Sequence, residues 1–319
     1  LVESICHDIL MTDAGVAWDD IAGLDGPKRT IYEIVIWPMK RPDLFHGIRG
    51  PPKGVLLFGP PGTGKTLIAK AVATESRSTF FSISASSITS KWIGEGERLV
   101  KTLFAIARYL QPSVIFIDEI DSLLSARSDS DEDNGTKRIK TEFLVQLDGA
   151  KTDAGTDRIL VLGATNLPQT IDEAVRRRLV KRIYIPLPDR PARLDLIQRA
   201  LHKSTISFDL SDQDFERILN WTEGYSGSDL SAYVSDAAMG PVREISSKMI
   251  ERVAVSEVRP VQLKDFRKAR NNIRASVVAS EVKRYEEWDT EFGCRYTEDQ
   301  DTDDDDDTDD EDGAPKDKK

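Results

Sequence analysis

The stretch "GVLLFGPPGTGKT" (Gly54–Thr66) decides the fold. Its first five residues are an apolar run closed by glycine, the pattern of a strand covered on both faces. Gly59–Thr66 then reads G-x-x-x-x-G-K-T without a mismatch, and Lys65–Ser76 carries a helical pattern. Strand, glycine loop and helix in that order make a phosphate cradle. Glycines let backbone N–H groups turn inward, and the helix points its positive end at the same place. Pro61, Gly62, Thr63, Gly64, Lys65, Thr66 and the adjoining Leu67 are the nucleotide-contacting residues on this reading. Lys65 reaches the β- and γ-phosphates, and Thr66 ligates Mg²⁺.

Outward from the cradle, "TFFSIS", "SVIFID", "RILVLGA" and "KRIYIPL" repeat the apolar strand pattern, separated by helix-length segments such as Gly96–Leu110 and Lys137–Leu147. Continuous apolar strands between helices predict a parallel sheet with helices on both faces, an α/β domain over residues 16–188. "PLPDRP" (residues 186–191) punctuates the chain, and the pattern then turns helical. A smaller all-α domain is expected over 189–275, a C-terminal helix over 276–295, and an N-terminal linker over 1–15.

The formal charge of −11 is unevenly spread. Thirteen acids and three lysines fall between Tyr296 and Lys319, so residues 1–295 carry a net charge of only −1. Residues 296–319 are expected to be a disordered, self-repelling acidic tail. A near-neutral body lacks the basic stripe of direct nucleic-acid binding. No apolar run approaches the roughly 20 residues of a membrane span. Two cysteines at opposite ends, without metal or redox spacing, fit a reducing compartment.

"SVIFIDEID" (Ser113–Asp121) supplies the second half of the site. Asp118 ends a strand at the carboxyl edge of the sheet, where open α/β folds bind ligands, and is expected to hold Mg²⁺ through water. Glu119 can orient and deprotonate an attacking water; the plainer alternative is an acid favoured by a helix N-terminus. Asn166 in "LGATN" ends another strand, so its amide can help fix that water. Arg177 and Arg178 in "AVRRRL" have the form of arginine fingers or of surface charge.

In order, "WDDIAGL", "GPPGTGKT", "KWIGEGE", "VIFIDEIDSLL", "GATN", "DEAVRRRL" and "GYSGSDL" resemble the motifs of AAA ATPases. Together "GEGE", "RLVKRIYIPLP" and "YEEWDTEFG" are similar to the microtubule-severing (meiotic) clade of katanin, spastin and fidgetin, and the chain looks most like a fidgetin-like protein. The resemblance covers residues 16–293. It implies ATP hydrolysis with Mg²⁺ by a homo-oligomer, hexameric when ATP-bound, with adenine contacts from Asp20, Ile21, Ala22, Gly23, Gly227 and Ser228. Asn166 would be sensor 1, and Arg177 and Arg178 would act on the neighbouring subunit's nucleotide. "KWIG" matches a pore loop, so Lys91, Trp92 and Ile93 would grip a threaded polypeptide, tubulin or another acidic-tailed chain; a core tryptophan is the competing reading. The resemblance implies a cytoplasmic or nuclear protein. Other roles it leaves open are disassembly of DNA-associated protein filaments and a slow ATP-dependent switch. Two departures stand out: Leu167 follows the sensor asparagine where arginine is common, and "SDSDEDNGTKR" is unusually acidic before Lys137 and Arg138.

Overall fold

Each of the five apolar runs is a strand in the computed structural model, which describes residues 9–11, 15–45, 47–91, 95–124, 134–152, 158–203, 206–246, 249–250 and 252–294. They are β2 (Gly54–Phe58), β3 (Thr79–Ser84), β4 (Ser113–Asp118), β5 (Ile159–Thr165) and β6 (Lys181–Tyr184). The order across the sheet is β1-β3-β4-β5-β2-β6, and β2 to β6 are all parallel. The edge strand β1 (Leu10–Met11) pairs antiparallel with β3, Leu10 opposite Phe81. It lies inside the stretch expected as linker, and Ile9 beside it is buried in the core. A two-residue strand carries no periodicity that sequence reading can catch.

Alternation along the strands feeds two cores. Val55 and Leu57 of β2, with Val114 and Phe116 of β4, face one layer that includes α1 (Lys65–Glu75) and the helical residues 25–40. Leu56, Phe58, Ile115 and Ile117 face the other, which holds α2 (Gly96–Tyr109) and α3 (Asn134–Thr152). Both faces of β2, β4 and β5 are dry, which is why those runs read as continuous rather than alternating hydrophobicity.

The second domain packs α4 (Arg190–Lys203), α5 (Asp212–Trp221), α6 (Gly227–Ala238) and α7 (Leu263–Asn272) around Tyr233 and Phe266. Capping boxes at Ser211 with Asp214 and Ser226 with Asp229 set where α5 and α6 begin. One detail departs from an all-helical reading: Phe208–Asp209 (β7) pairs in parallel with Val261–Gln262 (β8). The last helix, α8 (Ala279–Phe292), leaves this domain and returns to the large one, where Trp288 enters the first core.

Candidate nucleotide site

β2 delivers the chain into the glycine loop at a place where side chains do not fit. A Cβ on Gly59 would lie 2.3 Å from the Ile185 carbonyl oxygen. Gly62 and Gly64 adopt φ of 75° and 93°, in the left-handed region that costs other residues strain. Lys65 is buried, and its Nζ donates to the carbonyls of Gly59 at 2.9 Å and Pro60 at 2.7 Å. Burial pushes its pKa down from 10.5 to about 8, with Asp118 and Asp121 opposing the shift. The amine thus rests on the rim of the loop whose phosphates it is suited to hold.

β4 and β5 end side by side with their acids and amides on the same edge. Asp118 Oδ2 accepts from Thr66 Oγ1 at 3.0 Å, joining the two expected cation ligands. Its Oδ1 accepts the Glu119 amide at 3.0 Å. Glu119 itself has φ 49°, a strained value for a side-chain-bearing residue. It is exposed, and Ser86 Oγ approaches its Oε2 at 3.4 Å. The turn beyond is locked to β5: the Ile120 amide donates to Ala164 O at 3.0 Å, and Thr165 Oγ1 donates to Asp121 Oδ1 at 2.5 Å. Asn166 follows directly, with its Oδ1 buried and without a hydrogen-bond partner among the described residues.

The expected adenine end brings three segments together. Ile21 and Ala22 are both buried at 8% exposure, and Gly23, at φ 59°, packs so tightly that a Cβ would meet the Ala192 side chain at 2.7 Å. Asp20 Oδ2 accepts the Ala17 amide at 2.8 Å, closing the turn before them. From the helical domain, the Ser228 amide donates to Gly62 O at 3.2 Å, and Gly227 lies against the same carbonyl. Leu67 stays half exposed beside the loop. So the helical domain meets the phosphate loop through Gly227 and Ser228, and it packs Ala192 against Gly23.

The two arginines differ. Arg177, just past the short helix Glu173–Arg176, is 75% exposed and pairs with Glu173 one turn back. Arg178 is anchored in its own subunit, with Nε and Nη2 on Asp148 Oδ2 at 2.9 and 2.5 Å and Nη1 on Ala174 O at 2.9 Å. Lys91 closes the helix Ala85–Lys91 that follows β3. Trp92, Ile93 and Gly94 lie outside the described residues, as do the acidic residues 128–133 and the tail 296–319.

Sequence reading missed Ser86, Asp121, Thr165, Tyr285 and Trp288. The last two sit on α8, where Trp288 meets Phe58, the final residue of β2, ring to ring at 4.4 Å. Only the alternation of aromatics with acids in "RYEEWDTEF" hinted that α8 has a face to bury.

Family models agree with this layout: the ATPase family associated with various cellular activities (AAA) matches residues 55–187, the AAA+ lid domain 212–257, and the Vps4 C terminal oligomerisation domain 243–293. The crystal structure of the FIGL-1 AAA domain in complex with ADP is similar at TM-score 0.85 and 50% identity, covering 92% of this chain and 97% of that one. The chain belongs to the AAA ATPase family. The fidgetin-like character read from its motifs is borne out as well: fidgetin-like protein 1 of Rattus norvegicus is 53% identical over 294 residues. That match takes in 92% of this AAA chain and 43% of the rat protein, so the chain spans less than half of that relative's length. A structure solved for the basis of katanin self-assembly is similar at TM-score 0.75 and 36% identity, over 90% of this chain and 95% of that one. Nucleotide binding follows from the family.

Proposed function

We propose that this AAA chain hydrolyses ATP as one subunit of a ring that draws a polypeptide through its centre, in the manner of microtubule-severing machines. The observation that carries the proposal is the convergence of Lys65, Thr66, Asp118, Glu119 and Asn166 at the adjoining ends of β2, β4 and β5. Thr66 and Asp118 offer hard oxygen donors 3.0 Å apart, a donor set that suits Mg²⁺. Bound there with ATP, the ion would neutralise charge on the phosphate oxygens.

The chain's own groups supply the rest. Lys65 leaves the Gly59 and Pro60 carbonyls for the phosphates. Glu119 takes the proton of the attacking water, its strained backbone aiming the carboxylate. Asn166 accepts a hydrogen bond from that water through its unpartnered Oδ1. Arg177 and Arg178 serve the neighbouring subunit's nucleotide, which ties turnover to assembly; the match to an oligomerisation domain over 243–293 supports this. Trp92 and Ile93 grip substrate, and Lys91 adds positive charge that favours acidic segments such as tubulin tails.

The test is microscopy of stabilised microtubules with the protein and ATP. Shortening is expected, and none with Glu119→Gln. ATP turnover without shortening would refute tubulin as the substrate and leave another protein in its place.

A further inference from the structure

The helix α8 reaches the candidate site through a hydrogen bond. The Tyr285 hydroxyl donates to the backbone carbonyl of Asn166 at 2.7 Å, across 119 residues of chain. Neither end of this bond is loose. The Tyr285 ring stacks on Tyr184 of β6, 6.4 Å apart and 18° from parallel, and one turn later Trp288 anchors the helix against Phe58. Burial, with the nearby Glu281 and Asp121, raises the Tyr285 pKa and keeps its phenol protonated as a donor.

On the other side, the turn after β5 is held by two different groups. Thr165 Oγ1 donates to Asp121 and accepts the Leu167 amide at 2.9 Å, which fixes the residues before and after Asn166. Tyr285 fixes the peptide of Asn166 itself. What is left is the Asn166 amide, whose buried oxygen has no partner among the described residues. A buried, unpaired amide oxygen carries a desolvation cost, and it persists where a ligand or water completes it.

We propose that Tyr285 is a positioning residue for ATP hydrolysis: its hydrogen bond to the Asn166 carbonyl sets the peptide from which the Asn166 amide meets the attacking water. This rests on the reading of Asn166 as the water-holding residue. The hydroxyl bonds the Asn166 backbone carbonyl rather than Lys65, Thr66 or Asp118, so its removal is expected to act on the chemical step and leave binding alone.

Tyr285→Phe deletes one oxygen and keeps the ring on Tyr184. In the full chain, at protein concentrations where activity per subunit has levelled off, kcat is expected to fall about five- to tenfold, the worth of one hydrogen bond expressed in the transition state. KM for ATP and the affinity for ADP should stay within about twofold. The deciding measurement is the same substitution in an Asn166→Ala background, where it should have no further effect on kcat, because the amide it positions is gone. An equal loss in both backgrounds would assign Tyr285 a general structural role and overturn the proposal. So would an unchanged kcat for Tyr285→Phe beside a slow Asn166→Ala, which removes the tether while keeping the asparagine's role. If Asn166→Ala itself turned over normally, the reading of Asn166 would fall and the proposal with it.

Discussion

Raising the pH from 7 to 9 is expected to weaken ADP binding, measured without divalent cation, by about tenfold. The cause is Lys65. Its ammonium is buried, and its pKa is pushed from 10.5 down to about 8 chiefly by that burial. In the free protein it is therefore about nine-tenths charged at pH 7 and about one-tenth charged at pH 9. Bound phosphates restore the charged form, so binding selects the protonated protein and the apparent affinity follows that fraction.

The sign for stability is opposite. The unfolded chain keeps the Lys65 proton up to 10.5 while the folded one loses it near 8. Between those values the unfolded state binds more protons, so this group makes the nucleotide-free protein more stable as pH rises, by at most about 3 kcal/mol. Titration calorimetry in two buffers of different ionisation enthalpy checks the first claim: near pH 8 each ADP should take up about half a proton. Lys65→Ala should bind weakly at every pH, with a flat profile. An affinity that stays level from pH 7 to 9 with no buffer dependence would refute the reasoning. It would mean that the Gly59 and Pro60 carbonyls hold the proton on against burial.

Glu119→Gln should bind nucleotide normally and lose at least about a hundredfold in kcat, since it removes the proton acceptor and leaves the cradle intact; appreciable turnover would reassign the base. Mixing Arg178→Ala subunits with Lys65→Ala subunits should recover part of the ATPase activity that neither has alone, and no recovery at any ratio would argue against arginines acting across the interface. Trp288→Ala should destabilise the large domain by about 3–5 kcal/mol in urea unfolding, because it empties the space against Phe58. A loss below about 1 kcal/mol would show that α8 is not docked in solution.

Much of this molecule is written locally. The central strands β2, β4 and β5 were legible because both faces of each are buried, so apolar residues run without interruption through "GVLLF" and "SVIFI". Lys65 and Thr66 were legible because they open α1 straight after a glycine loop, and Asp118, Glu119 and Asn166 because they lie at or just past the ends of β4 and β5, where a short polar signal interrupts an apolar run. The edge strand at Leu10–Met11 was not, since two residues hold no period.

Other features exist only once the chain has folded. "AVRRRL" names three arginines alike, yet Asp148, some thirty residues away, captures Arg178 and leaves Arg177 exposed. The amine of Lys65 looks ordinary in sequence, and its lowered pKa arises from a burial that needs both the loop and the sheet. Tyr285 reaches Asn166 only because α8 crosses back from the helical domain. The sequence by itself determined which residues can do the chemistry, because propensity and periodicity act over a few neighbours. The tertiary structure decided which of them are restrained, desolvated or left free to act, because those properties depend on contacts between segments that no local pattern encodes.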